Sequence, residues 1–248
     1  MQRFFMEVSY DGSLYHGWQV QKNAVSVQQR INEALAKILR TTVETIGAGR
    51  TDTGVHAKQL YVHFDIKAGL IPDEDRFLHA INSLLPSDIA ALRLVEVHQD
   101  AHARFDAVER SYAYHIHFRK DPFLIRRSWQ LRDYPDVARM NEAAHYLLGT
   151  QDFGCFSKSN TQVFTNICTV KRAEWVENEE GLVFHITADR FLRNMVRAIV
   201  GTLLDIGQKR KEPLSMVAVI QSKDRAQAGT SVPAHGLYLT RVVYPYMQ

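Results

Sequence analysis

Apolar and polar residues alternate along the first hundred residues with two different periods. Residues 58–66 are apolar at every second position, as expected of a half-buried strand. Residues 26–40 repeat apolar side chains at helical spacing, and Ser26 followed by Gln29 predicts a capping box at the start of this helix. The predicted strands of this half are residues 3–10, 42–49, 58–66 and 89–97, and the predicted helices are residues 26–40 and 73–85.

The second half of the chain shows similar alternation. A long strand carries Arg110, Tyr112 and Tyr114 on one face. Both halves therefore predict an α+β fold of two units with antiparallel sheets, divided into residues 1–100 and residues 101–248. The predicted strands of the second half are residues 107–119, 166–177, 182–189 and 237–243, and the predicted helices are residues 136–148, residues 191–206 and one that begins at Pro213.

Composition places the chain among ordinary globular enzymes. It has 248 residues, of which 46% are hydrophobic and 23% charged. Charged residues interrupt the longest apolar runs, so we expect no membrane span. Cys155 and Cys168 are too few for a disulfide framework, and the chain begins without a secretory signal pattern. These features predict a cytoplasmic protein.

Charge is distributed unevenly along the chain. Residues 1–100 carry 10 basic and 12 acidic side chains, a net charge of −2, whereas residues 101–248 carry 20 and 15, a net charge of +5. A basic half is compatible with a phosphate-rich partner. Scattered surface lysines and arginines are normally just solvated, so charge alone does not identify RNA as the partner.

Residues 47–57, which read GAGRTDTGVHA, carry the main candidate for chemistry. Asp52 lies in a glycine-rich loop between two predicted strands, and Arg50 would keep it ionised by lowering its pKa. An aspartate in such a loop is more often a turn former that caps nearby amides. On the glycines and the carboxylate alone, that structural interpretation is favoured.

The wider run resembles the signature of the tRNA pseudouridine synthase A family. Further resemblances follow in the family's order along nearly the whole chain. They are residues 10–12 (YDG), 17–19 (GWQ), 102–105 (HARF), 110–114 (RSYAY), 191–197 (FLRNMVR) and 236–239 (GLYL). Thr53 departs from the family pattern, which most often has alanine after the aspartate. Its hydroxyl could bond Asp52 or the backbone without blocking the site.

The resemblance implies two ferredoxin-like halves whose sheets meet around a central catalytic cleft, in a homodimer. It implies an enzyme that isomerises uridine to pseudouridine in the anticodon stem-loop of tRNA, at positions 38, 39 and 40. The reaction moves the ribose C1′ bond from N1 to C5 of the same base and is redox neutral. We therefore expect no cofactor and no metal.

The resemblance also assigns roles to individual residues. Asp52 is the catalytic carboxylate, as nucleophile, as stabiliser of positive charge on the sugar, or as base, and these alternatives stay open. Arg197 is its charge partner, although an arginine at a helix edge also packs its stem and leaves its head in water. Tyr112 stacks on the target uracil and assists C5 deprotonation; without the motif it is core packing.

Two further residues are implied to bind the substrate. Arg50 fills the space left by the flipped nucleotide or contacts its phosphate, and Leu237 forms an apolar wall of the uracil pocket. Without the motif, Leu237 is ordinary strand core. His56 suggests a general base, and His102, His115 and His117 suggest a metal site, but no carboxylate or cysteine cluster completes one. We expect no catalytic histidine.

Two other interpretations compete with this one. The triplet at residues 52–54 (DTG) also matches aspartic proteases, which predicts an all-β chain. Arg50 and the flanking helices argue against that interpretation. The other is a non-catalytic RNA-binding or tRNA-folding protein, which would not need an acidic residue such as Asp52 in an RNA cleft.

Overall fold

The computed structural model describes residues 1–158 and 164–247 as ten strands and five α-helices. The strands are β1 (Gln2–Tyr10), β2 (Ile46–Gly47), β3 (His56–Ile66), β4 (Ile89–Val97), β5 (Glu109–His117), β6 (Trp129–Gln130), β7 (Gly149–Asp152), β8 (Ile167–Asn178), β9 (Gly181–Ala188) and β10 (Leu237–Val243). The helices are α1 (Val27–Leu39), α2 (Glu74–Leu84), α3 (Val137–His145), α4 (Met195–Gly207) and α5 (Ser215–Ser222). None of the described helices is long and apolar enough to cross a membrane.

The chain forms two compact units. The first contains residues 1–108 and 238–248, and the second contains residues 109–237. This grouping differs from the predicted division at residue 100 mainly in the last strand. β10 pairs in parallel with β3, with Tyr238 opposite His56, so it joins the first unit despite its distance along the chain. A division into separately folding domains stays a prediction.

In the first unit the strands have the order β4-β1-β3-β10, and β2 pairs with β3. The β1–β3 and β1–β4 ladders are antiparallel. α1 begins at Ser26, whose side chain accepts a hydrogen bond from the backbone N–H of Gln29 at 3.3 Å, which confirms the predicted cap. Large apolar side chains form the core, among them Phe4, Ile31, Leu35, Leu60 and Phe64.

In the second unit the strands have the order β5-β9-β8-β7, all antiparallel, and the short β6 pairs with β5 in parallel. α4 is almost entirely buried and contacts α3. The core includes Tyr114, Phe156, Phe184, Ile199 and Leu203. The predicted α+β class with antiparallel sheets is confirmed in both units.

Two predicted elements are shorter than expected. The strand predicted over residues 42–49 is reduced to β2, because side chains of α1 form hydrogen bonds with the backbone of Thr45. Asn32 accepts from its N–H at 3.2 Å, and Gln28 donates to its carbonyl at 2.6 Å. The helix predicted from residue 191 begins only at Met195, because Asn194 adopts a left-handed φ of 68°.

Candidate active site

Asp52 lies on the loop between β2 and β3, and residues 10–18 hold this loop. The Tyr10 hydroxyl and Thr51 Oγ1 are 2.8 Å apart and buried. The backbone N–H of Trp18 donates to the Thr51 carbonyl at 3.2 Å, and the N–H of Gly54 donates to the Tyr15 carbonyl at 3.3 Å. Hydrogen bonds on both sides of Asp52 therefore fix the backbone that carries the carboxylate.

Glycines allow these two segments to touch. A Cβ at Gly17 would overlap the Thr51 carbonyl, and Gly17 has a φ of 86°, which L side chains rarely adopt. A Cβ at Gly12 would likewise overlap the carbonyl of Val55. The motifs at residues 10–12, 17–19 and 47–57 are thus parts of one packed arrangement, which their spacing in the sequence did not reveal.

His56, which follows the Asp52 loop, is buried and only 1% exposed. Its Nδ1 accepts a hydrogen bond from the Gly12 N–H at 3.1 Å and lies 3.1 Å from Asp11 Oδ1. Its ring stacks on Tyr238, with centroids 4.5 Å apart and planes 22° apart. His56 therefore joins three of the sequence motifs, a role that the sequence reasoning missed.

The other predicted groups of this loop differ in exposure. Asp52 is half-buried, whereas Arg50 and Thr53 are exposed. The carbonyl of Asp52 accepts from the Val55 N–H at 3.1 Å, which closes a turn around Gly54, whose φ is 78°. The direct pairing of Arg50 with Asp52 stays a prediction.

In the second unit, Tyr112 lies on β5 opposite Ile186 and is half-buried. Phe191 meets its ring edge-on, with centroids 5.0 Å apart and an interplanar angle of 85°. Tyr114, two positions along the strand, is fully buried and donates to the Pro233 carbonyl at 2.8 Å. Burial holds the pKa of Tyr114 well above its usual range, and the nearby charge of Arg197 opposes that shift.

Arg197 lies in the first turn of the buried helix α4 and is half-buried. Its Nε donates to the Val232 carbonyl at 2.7 Å, and the Val232 N–H donates to the Arg197 carbonyl at 3.2 Å. One turn further along α4, Gly201 touches the Thr230 carbonyl so closely that a Cβ would overlap it. The segment around residues 229–232 therefore fixes the orientation of the guanidinium.

Leu237 lies at the end of the same segment. It follows a short 3-10 turn, Ala234–Gly236, and is buried, at 6% exposure. A Cβ at Gly236 would press on the Tyr114 ring. Residues 229–237 thus contact two elements of the second unit, α4 through Arg197 and β5 through Tyr114, and end at Leu237.

Within residues 1–158 and 164–247, no metal site is formed by three or more histidine, cysteine or acidic side chains. Cys155 and Cys168 are free and buried, and burial raises the pKa of each thiol to about 12. Such thiols are poor nucleophiles and poor metal ligands at neutral pH. The absence of a metal or cofactor from the reaction stays a prediction.

Comparison with known proteins defines the class first. The family model described as tRNA pseudouridine synthase matches residues 143–245. Three curated relatives bear the name tRNA pseudouridine synthase A. The protein of Bacteroides fragilis is 46% identical over 246 residues, covering 99% of this chain and 97% of its own. That of Bacteroides thetaiotaomicron is 49% identical (99% and 91% covered), and that of Bacillus subtilis is 40% identical (96% and 97% covered).

Similarity of this extent shows that the chain belongs to the tRNA pseudouridine synthase A family. It is accordingly an enzyme, an isomerase that acts on tRNA, and the protease interpretation is wrong. Among solved structures, a chain titled as part of a Cbf5-Nop10-Gar1 complex aligns with a TM-score of 0.36 and 14% identity, covering 96% of this chain and 58% of that one. That alignment is too weak to bear on the fold.

Proposed function

We propose that this chain forms pseudouridine at positions 38, 39 and 40 in the anticodon stem-loop of tRNA, with Asp52 as the catalytic carboxylate. The observation that carries the proposal is the rigid support of the Asp52 loop. Its backbone is held by Tyr15 and Trp18 and its Thr51 side chain by Tyr10, while Asp52 stays half-buried. A reactive group gains most when its position is fixed before the substrate arrives.

The reaction needs few groups from the protein. The bond from ribose C1′ to N1 of uracil breaks, the detached base turns, and a new bond joins C1′ to C5. The C5 proton then leaves, and N1 gains a proton, so atoms and electrons balance within the nucleoside. Asp52 attacks C1′, stabilises its positive charge, or removes a proton from the sugar.

Arg197 is the proposed charge partner of Asp52. The hydrogen bond from its Nε to Val232 orients the planar guanidinium, which suits the pairing of a carboxylate or a phosphate. A guanidinium in that position would pair with the negative charge of the Asp52 carboxylate. The half-buried position of Arg197 also accounts for its occurrence in an otherwise apolar helix.

Tyr112, Leu237 and Arg50 are the proposed substrate-binding residues. The Tyr112 ring, held edge-on by Phe191, would stack on the uracil, which is typically worth ~1 to 3 kcal/mol per base. The buried Leu237 would form the apolar wall of the pocket. Arg50 is exposed and would occupy the space of the flipped nucleotide or contact its phosphate.

The remaining features of the proposal concern the setting of the reaction. We propose that the enzyme is a cytoplasmic homodimer and that it reads the shape and backbone of the anticodon arm. The net charge of +5 over residues 101–248 supports an RNA partner.

The test is pseudouridine formation in unmodified tRNA by Asp52→Asn, compared with wild type and with Asp75→Asn, an exposed carboxamide control on α2. We expect Asp52→Asn to bind tRNA and form no pseudouridine, and Asp75→Asn to match wild type. Mapping the product should locate it at positions 38 to 40. Full activity of Asp52→Asn would refute the catalytic role, and tRNA binding by wild type without conversion would establish the RNA-binding alternative.

A further inference from the structure

The connection between β5 and β6, residues 118–128, is anchored at both ends by contacts within the second unit. β6 pairs with the end of β5, with His117 opposite Gln130, and the Leu131 N–H donates to the His117 carbonyl at 2.9 Å. Phe118 packs on Tyr134, with ring centroids 4.6 Å apart. We call residues 118–128 the basic loop.

The tip of the basic loop is also ordered by its own hydrogen bonds. The Asp121 side chain accepts from the Phe123 N–H at 2.8 Å. The N–H groups of Arg127 and Ser128 donate to the Leu124 carbonyl at 3.0 and 3.1 Å. These bonds close two successive turns, so the side chains at the tip are presented from a defined backbone.

Two large apolar side chains on this tip face solvent. Phe123 is 83% exposed and Ile125 is 63% exposed. Single exposed apolar residues are common on protein surfaces, but here a phenylalanine and an isoleucine are both exposed within three residues of one hydrogen-bonded turn. Such a pair is typical of a surface that is covered by a binding partner.

The charge of the loop indicates the chemistry of that partner. Arg119, Lys120, Arg126 and Arg127 are all exposed, and the single acid, Asp121, accepts bonds from the loop backbone. The loop thus carries a net charge of +3. Aromatic and arginine side chains together match RNA, in which bases offer faces for stacking and phosphates offer negative charge.

We infer that the basic loop is a second RNA-contact surface, which binds tRNA outside the nucleotide that reacts. Phe123 stacks on an unpaired or exposed base or packs against a ribose, and Arg126 and Arg127 contact phosphates. This inference rests on the proposed function for the identity of the RNA. RNA, a polyanion, matches the loop's net charge of +3 better than a second copy of the chain, whose own net charge is +3.

The test compares tRNA affinity among full-length variants. Phe123→Ala removes the exposed ring, and Arg126→Ala combined with Arg127→Ala removes two charges. The matched controls are Leu214→Ala, which truncates an apolar side chain that is 64% exposed elsewhere in the second unit, and Lys67→Ala combined with Arg76→Ala, which removes two exposed charges in the first unit. The Kd for unmodified tRNA is measured by filter binding over a series of salt concentrations.

We expect Phe123→Ala to weaken tRNA binding about tenfold, as loss of a stacked base does elsewhere. The double arginine variant should weaken binding to a similar degree and reduce the slope of log Kd against log salt by roughly 1.5 to 2, because two phosphate contacts are lost. The controls should change Kd less than about twofold. In turnover assays the loop variants should raise KM far more than they lower kcat.

Unchanged Kd and salt slope in both loop variants would overturn the inference. So would a shift to smaller particles of Phe123→Ala in sedimentation with an unchanged Kd, because the loop would then be a contact between copies. These outcomes are separable from the proposed function. If wild type binds tRNA but forms no pseudouridine, the proposed function fails, while the Kd values still decide the role of the basic loop.

Discussion

Both units contain backbone hydrogen bonds around their motif segments, but they differ in how several side chains add to these bonds. In the first unit, imidazoles accept from backbone N–H groups: His56 from Gly12 at 3.1 Å, and His63 from Ala103 at 3.1 Å. In the second unit, backbone carbonyls accept instead, and their donors are side chains. Arg197 donates to Val232 at 2.7 Å, Tyr114 to Pro233 at 2.8 Å, and Arg110 to Asp189 at 2.9 Å.

The difference matters because an imidazole stops accepting at a nitrogen that becomes protonated, whereas a carbonyl does not titrate. The first unit therefore contains a hydrogen bond, from the Ala103 N–H to His63, that is lost when acid protonates the accepting nitrogen. Burial is the main cause that lowers the pKa of His63 to about 4, and it also lowers the pKa of His102. We expect acid to break the contact between His63 and Ala103 before it affects the contacts of Arg197.

Among variants that leave the proposed catalytic and substrate-binding residues unchanged, the largest effect on activity is expected for Gly17→Ala. The new Cβ would overlap the Thr51 carbonyl at a left-handed φ, so the Asp52 loop must shift. A displacement of about 1 Å can cost on the order of 100-fold in rate. We expect kcat/KM to fall by about 100-fold in a steady-state assay on tRNA.

Gly49→Ala is the matched control for that variant. Gly49 lies in the motif that contains Asp52, residues 47–57, and a Cβ there meets nothing within 4 Å. It should stay within a few-fold of wild type. If both alanine variants lose activity equally, a general sensitivity of the loop, and not the contact with Gly17, would explain the loss.

Gly201→Ala should act on stability. Its Cβ would overlap the Thr230 carbonyl inside a buried helix, and overpacking of this kind typically costs ~1 to 3 kcal/mol. We expect the free energy of unfolding in urea to fall by about that amount. At a temperature where the variant is folded, it should keep more activity than Gly17→Ala. If Gly201→Ala loses more activity than Gly17→Ala, the expectation that the first contact affects stability and the second affects the Asp52 loop is wrong.

Acid should destabilise the protein through His63. Its folded pKa of about 4 lies below the unfolded value of about 6.5, so the unfolded chain binds more protons between these values and stability falls as pH falls through that window. Arg3 and His102 oppose its protonation, while Asp65 and Asp106 favour it. We expect a loss of about 1 to 2 kcal/mol between about pH 7 and pH 5 in urea unfolding.

The matched variant is His63→Asn, whose amide oxygen accepts from Ala103 without titrating in this range. It should show a flatter dependence of stability on pH than wild type. An equally steep dependence in His63→Asn would assign the acid sensitivity to other groups.

The smallest effect is expected for His56. His56→Leu removes the acceptor for the Gly12 N–H and should lower kcat about fivefold, since an unsatisfied buried N–H typically costs ~1 to 3 kcal/mol and shifts the adjoining loop. His56→Asn retains an acceptor and should recover most of the rate. If the asparagine variant is as slow as the leucine variant, the ring stacked on Tyr238 matters more than the hydrogen bond.

Much of the fold follows from local patterns in the sequence. The α1 cap at Ser26 and the alternation of residues 58–66 were predictable because their causes lie within a few residues. β2 was not, since the Thr45 backbone bonds to Asn32 and Gln28 on a helix more than ten residues earlier. The start of α4 also escaped prediction, because Asn194 supplies a left-handed residue that is usually glycine.

The sequence predicts which residues form the candidate site, and it does not predict how the fold supports them. The motif around Asp52 stands out in the sequence, and the family that it indicates is the one that the comparison shows. The packing of Gly17 on Thr51, and the contacts of His56, depend on which distant segments meet, and spacing along one chain does not contain that information. The catalytic assignments themselves stay proposals for the experiments above.

The last strand has a consequence for biosynthesis. Tyr238 begins the piece of chain that completes the first unit, yet the whole of residues 109–237 is translated before it. During translation, residues 1–108 are made before β10, so β3 at first lacks the strand that pairs with it. We therefore expect the edge of β3 to need protection from aggregation until β10 has been translated and pairs with it.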